Sequence, residues 1–125
     1  MGKLFRQADA EATETYYFGE EGEEDRDWVR VRASITNAEA HQLLAKAPTG
    51  ERDLEGGFQF IERVFDHVVV AWSLVDRQGE PLAPTVENLR TMDAAGARQL
   101  EDRVAQHLSR LLGREVEKTE GESSS

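Results

Sequence analysis

Apolar and polar residues alternate strictly over WVRVRASI (28–35). Val29, Val31, Ala33 and Ile35 fall on one side, Arg30, Arg32 and Ser34 on the other. A period of two marks a half-buried β-strand. The aromatic run TYYF (15–18) precedes it, and GEEGEEDRD (19–27) separates the two. That intervening stretch is too charged and glycine-rich to bury, so an antiparallel hairpin closed by a solvated acidic loop is predicted. Arg30 and Arg32 are placed to pair with this loop, although exposed pairs contribute at most about 1 kcal/mol each.

After the hairpin the period lengthens. Thr36-Asn37-Ala38-Glu39 is a capping box, with Ile35 and Ala40 at the staple positions, and it opens a helix over 36–47. Pro48-Thr49-Gly50 ends that helix, and 48–57 reads as a loop. From Phe58 to Val75 the apolar residues 58, 61, 65, 68, 72 and 75 step by three and four, which predicts a helix over 58–74. The run Val68-Val69-Val70 alone would suit a strand. The length of the segment and the breaks at Glu62, Arg63, Asp66 and His67 favour the helix. Asp76-Arg77-Gln78-Gly79-Glu80-Pro81 is turn chemistry, with Gly79 able to take positive φ. Thr85 caps a short helix over 85–91. Asp93 caps a last one over 94–112, whose apolar set is Leu100, Val104, Leu108, Leu111 and Leu112. Arg98 and Asp102 are spaced to pair at i,i+4, and Gly113 is a natural residue to end the helix.

These elements predict an α+β fold: an N-terminal β-hairpin packed on a mainly α-helical bundle of three to four helices. Residues 1–13 read as a flexible N-terminal arm, 14–113 as a single domain and 114–125 as a disordered polar tail. The 125 residues carry a net charge of −10 and no cysteine. The charge disfavours binding to phosphate backbones, because the basic residues are scattered singly and form no patch. The absence of cysteine removes disulfides, thiolate metal sites and cysteine nucleophiles, and it fits a reducing compartment. No signal-peptide pattern is present, and the run VVVAW is far short of a membrane span, so a soluble intracellular protein is expected.

Catalytic chemistry is hard to assemble. His41, His67 and His107 lie in three different predicted helices, without a second histidine at ligand spacing, and read as structural or surface residues. Glu62 and Asp66 are the one carboxylate pair beside the apolar helix, and they read as its polar side rather than as an acid–base pair. No phosphate loop, nucleophile elbow or dinucleotide fingerprint occurs. What stands out is apolar surface, because the predicted helix 58–74 is apolar nearly all round and a hairpin with a few short helices covers one face of it more easily than every face.

The stretch AWSLVDRQGEPLAPTVENLRTM resembles the run W-x-L-x-D-x-x-G-x-P-L-x-x-T-x-E-x-L of tail assembly chaperones of long-tailed bacteriophages, especially those of actinobacterial hosts. It is carried here by Trp72, Leu74, Asp76, Gly79, Pro81, Leu82, Thr85, Glu87 and Leu89. The upstream DWVRVRASITNAEAHQLL is similar to the strand-to-helix passage of the same proteins, and together the resemblance covers 28–112. It implies a non-enzymatic role without cofactor or metal. Such chaperones bind the apolar, helical tape measure protein, keep it soluble, and promote polymerisation of the tail tube protein around it. They act in the host cytoplasm and are absent from the mature virion. Many exist in a short form and a frameshifted longer form that recruits tube subunits, and the polar EVEKTEGESSS would suit the end of a short form.

On that resemblance Phe58, Phe60, Ile61, Val64, Phe65, Val68, Val70, Trp72 and Leu74 are the expected partner-binding residues, with the stripe Leu100–Leu112 beside them. An open apolar face also permits self-association. Two other readings stand beside it: a structural component of the tail or head–tail junction, and an acidic DNA mimic that inhibits a host protein.

Overall fold

The computed structural model describes residues 5–22, 25–45, 47 and 54–113. It contains a three-stranded antiparallel sheet and four helices, the α+β architecture expected. The hairpin forms as its pattern dictates. Strand β1 (Thr13–Tyr17) pairs with β2 (Trp28–Arg32), Tyr16 opposite Val29 and Glu14 opposite Val31. Val29 and Val31 are fully buried, while Arg30 between them is exposed. The arginines do not reach for the acidic loop among the described residues. Arg30 donates to the Thr15 hydroxyl and lies over the Trp28 ring, and Arg32 pairs with Glu39 at 2.8 Å. The expected tail over 114–125 and the loop residues 48–53 lie outside the described residues.

Helix α1 (Asn37–Leu44) opens on both halves of the capping box. The Thr36 hydroxyl accepts from the Glu39 amide, and the Glu39 carboxylate accepts from the Thr36 amide. Among the described residues Glu39 thus accepts four hydrogen bonds, from the Thr36 amide and hydroxyl and from two nitrogens of the Arg32 guanidinium, and His67 Nε2 sits 2.9 Å away. The Arg32 hydrogen bonds, foremost, hold its carboxyl down at about 2. A depressed carboxyl contributes stability that is complete above its unfolded value near 4.5 and is lost as pH falls through 2. Partial exposure screens the interaction to about 1 kcal/mol. Glu39→Gln is expected to lower the urea midpoint at neutral pH and to have a much smaller effect near pH 2; an equal loss at both would remove the ion pair as the cause.

The helix expected over 58–74 is corrected in both directions. Helix α2 runs Leu54–Val68, starting inside the predicted loop, and the chain passes directly into a third strand, β3 (Val69–Trp72), which pairs antiparallel with β2. Two forces decide this. Three consecutive valines tolerate the pleated backbone well. The strand also gives β2 a second neighbour, so that Val69 and Trp72 join Val29 and Val31 on the core side. The pairing steps from Arg30–Ala71 to Val31–Val69, which leaves Val70 as the extra residue of a bulge, 45% exposed.

After β3 the motif run folds into a corner in which most of its residues have a visible task. Trp72 Nε1 donates to the Leu82 carbonyl at 2.7 Å. The Leu82 amide returns to the Leu74 carbonyl, and Val75 bridges Pro81. The Asp76 carboxylate accepts from the amides of Gln78 and Glu80, and Gly79 takes φ +82°, a region that other residues avoid. Thr85 caps α3 (Val86–Arg90) and Leu89 is buried. Asp93 caps α4 (Ala94–Leu111), and Gly113 follows it with φ +80°. Arg98 pairs with Glu101 at i,i+3 rather than with the expected Asp102. Trp72→Phe keeps an aromatic side chain but shrinks it and orphans the Leu82 carbonyl, with an expected cost of at least about 1–2 kcal/mol in chemical denaturation; an unchanged midpoint would mean the corner holds without that bond.

Helices α2 and α4 pack together, and their apolar sides meet the sheet in one core: Val29, Val31, Leu43, Val64, Phe65, Val68, Val69, Trp72, Leu89, Ala97, Leu100, Val104 and Leu108. No described helix is long and apolar enough to cross a membrane.

Candidate functional site

The nine residues expected to meet a partner separate into three groups. Val64, Phe65, Val68 and Trp72 are core, so the first three are closed to a partner in the folded chain and Trp72 offers only an edge. The correction has a simple cause: a helix apolar on all sides gives no sign of which side the rest of the chain will cover, and here the sheet and α4 cover that of Val64, Phe65 and Val68. Phe60 and Ile61 are half-buried on α2, and Val70 stands out at the bulge. Phe58 and Leu74 line surface clefts, the latter beside the edge of Trp72.

Two such clefts lie on either side of Met92. The first, about 190 Å³, opens between the end of the sheet and α4; Phe18, Trp28, Trp72, Leu74, Met92 and Leu100 form its apolar walls and Asp27, Ser73 and Gln99 its polar ones. The second, about 290 Å³, lies where α2, α3 and the start of α4 meet. Phe58, Leu89, Met92, Ala94 and Ala97 line it, bordered by Glu62, Arg90, Arg98 and Glu101. Phe58 is 50% exposed with the Arg98 guanidinium 5.3 Å from its ring centre. Met92 lines both clefts, which flank the start of α4 as an apolar trough on each side of it.

Sequence reasoning missed Met92, Phe18 and the small residues at the start of α4. The available signal was positional: a lone apolar residue between the end of one helix and the N-cap of the next has no helical stripe to belong to. Leu100 was legible, as the first residue of the α4 stripe.

The border of the trough is electrically settled. Arg90 reaches Glu62 through two nitrogens, at 2.9 and 2.7 Å, and its hydrogen bonds hold the Glu62 carboxyl below the usual range. A general acid needs the opposite shift, so Glu62 serves an ion pair, and Asp66 is exposed. His107 is 1% exposed. Its Nε2 lies on the Arg32 carbonyl and its Nδ1 is 2.8 Å from the Tyr16 hydroxyl, an arrangement that a neutral ring satisfies by donating from one nitrogen and accepting at the other. Burial, foremost, lowers its pKa and raises that of Tyr16. Below 6.5 the unfolded chain binds a proton that the folded chain resists, so stability falls as pH drops through that range. His67 lies between Glu39 and Arg32, and His41 is exposed. Among the described residues no group of three histidine, aspartate or glutamate side chains could hold a metal. The arrangement can bind an apolar surface.

No family model, curated protein or solved structure matches this chain.

Proposed function

We propose that this chain is a tail assembly chaperone of a long-tailed bacteriophage, which docks apolar helical stretches of the tape measure protein in the trough around Met92. The observation that carries the reading is the trough itself: apolar floor, paired charges at its border, and open access beside the half-exposed Phe58. Amphipathic helices bind in grooves of this kind through side chains spaced three and four apart. The corner run Trp72–Leu89, through which the chain resembles such chaperones, supports the same reading because it builds one wall of the trough with Trp72 and Leu74. The net charge of −10 would keep a loaded complex dispersed. In this role the protein acts in the host cytoplasm, hands its client to the tail tube protein, performs no chemistry and is absent from finished particles.

The test is co-expression with the tape measure protein of the same phage. Soluble tape measure protein that co-purifies with this chain is expected, together with absence of the chain from mature virions by mass spectrometry. Tape measure protein that precipitates regardless, or a stoichiometric presence of this chain in the virion, would overturn the reading.

A further inference from the structure

The sheet ends in two edges of different character. Edge strand β3 is four residues long and carries the bulge at Val70. Short, bulged edges resist further pairing. Edge strand β1 holds five residues in unbroken register with β2, without a bulge, a proline or a lysine. Beyond its ends the Ala33 amide donates to the Ala12 carbonyl, and the Phe18 amide donates to the Asp27 carbonyl. Hydrogen-bonded pairs alternate along an antiparallel ladder, so the even-numbered residues of β1 turn their main-chain groups to β2. The amides and carbonyls of Thr13, Thr15 and Tyr17 therefore point out along the open edge. Among the described residues they enter no main-chain bond outside the hairpin.

The sequence of this edge, TETYY, fits a second copy of itself. In an antiparallel register centred on Thr15, Thr13 meets the partner's Tyr17 and Thr15 meets the partner's Thr15. Every outward amide and carbonyl is then used, since each such pair exchanges two bonds. A shift by two residues either way leaves an outward residue without a counterpart, and one of the two shifts sets Glu14 against the partner's Glu14, a repulsive pair. The centred register instead sets the partner's Glu14 beside Tyr16. There the Arg103 guanidinium lies 4.9 Å from the Tyr16 ring centre. Arg103 donates to Gln106 and joins no ion pair among the described residues, so the arriving carboxylate meets an unmatched cation.

We infer that β1 is a self-association edge: two copies pair antiparallel through Thr13–Tyr17 about a two-fold axis at Thr15, joining their sheets into one. The net charge of −10 on each copy opposes this contact, so salt strengthens it. The pairing uses no residue lining either cleft beside Met92, and it stands or falls apart from the docking role.

Sedimentation equilibrium of the full chain is expected to show a reversible dimer that tightens as salt is raised. Thr15→Glu and Thr15→Lys each bring like charges face to face on the axis and should each weaken the dimer at least about fivefold at equal salt. The lysine variant is the decisive one, because it lowers the net charge of each copy and would tighten any association limited by general repulsion alone. Circular dichroism checks that both variants fold. Thr15→Cys tests the register directly, since the chain has no cysteine of its own. Hydrogen-bonded partners across an antiparallel pair lie about 5.5 Å apart, within disulfide reach. Mild oxidation should link two copies through position 15, and Val70→Cys on the other edge should stay unlinked. A chain that remains monomeric up to about 0.1 mM, a dimer that Thr15→Lys leaves unchanged or tightens, or linkage no faster through position 15 than through position 70 would each overturn the inference.

Discussion

Phe65→Ala is expected to lower the free energy of unfolding by about 3–5 kcal/mol, the usual range for emptying a buried phenylalanine site. Phe65 is fully buried near the end of α2, one turn before the chain becomes β3, and its ring lies 5.3 Å from that of Trp72 at a tilt of 54°. The cavity left behind would face Trp72 and the valines of the core, which the neighbouring strand pairing holds in place, so collapse can recover little. A domain of this size commonly has only about 5–15 kcal/mol in total, and the variant should therefore unfold at markedly lower urea by circular dichroism. Phe58→Ala is the internal comparison: its ring is half-exposed and its loss should stay below about 1 kcal/mol. Equal effects of the two substitutions would show that the core is not organised around the α2–β3 junction.

Met92→Glu is expected to abolish retention of the tape measure protein while leaving the chain folded. Met92 is only partly buried in the free chain, where the new carboxylate can turn toward water. Beneath a docked apolar helix it would be trapped without a partner, at a cost above about 3 kcal/mol, or more than a hundredfold in affinity. Pulldown from co-expressing cells reads the loss, and circular dichroism of the purified variant checks the fold. Undiminished capture by a folded variant would remove the trough as the docking face.

What the sequence shows well is what neighbours in the chain decide. The alternation of Val29 and Val31, the Thr36–Glu39 box, the caps at Thr85 and Asp93 and the positive φ of Gly79 and Gly113 all depend on residues a few positions apart, and all are found in place. Residues 69–72 depend on something more distant. Phe65, Val68 and Trp72 fit a helical stripe while the valine run 68–70 suits a strand, so the local pattern alone does not cast the deciding vote. Pairing with β2, some forty residues earlier, casts it. The same distance effect governs the site. Phe58, Trp72 and Leu74 were visible as apolar residues, but which of their neighbours would be sealed inside follows only from how α4 and the sheet close over α2. Met92 was hidden because a single methionine in a turn has no period.

The central claim is that the apolar trough, rather than the far face of the sheet, holds the client. Site-specific photo-crosslinking in cells that co-express the tape measure protein addresses it directly, with a photoreactive residue placed at Met92 in the trough or at Thr13, which is exposed on edge strand β1 opposite Arg32. Adducts to the tape measure protein through position 92, with none through position 13, are the predicted result. Adducts through position 13 and none through position 92 would contradict it.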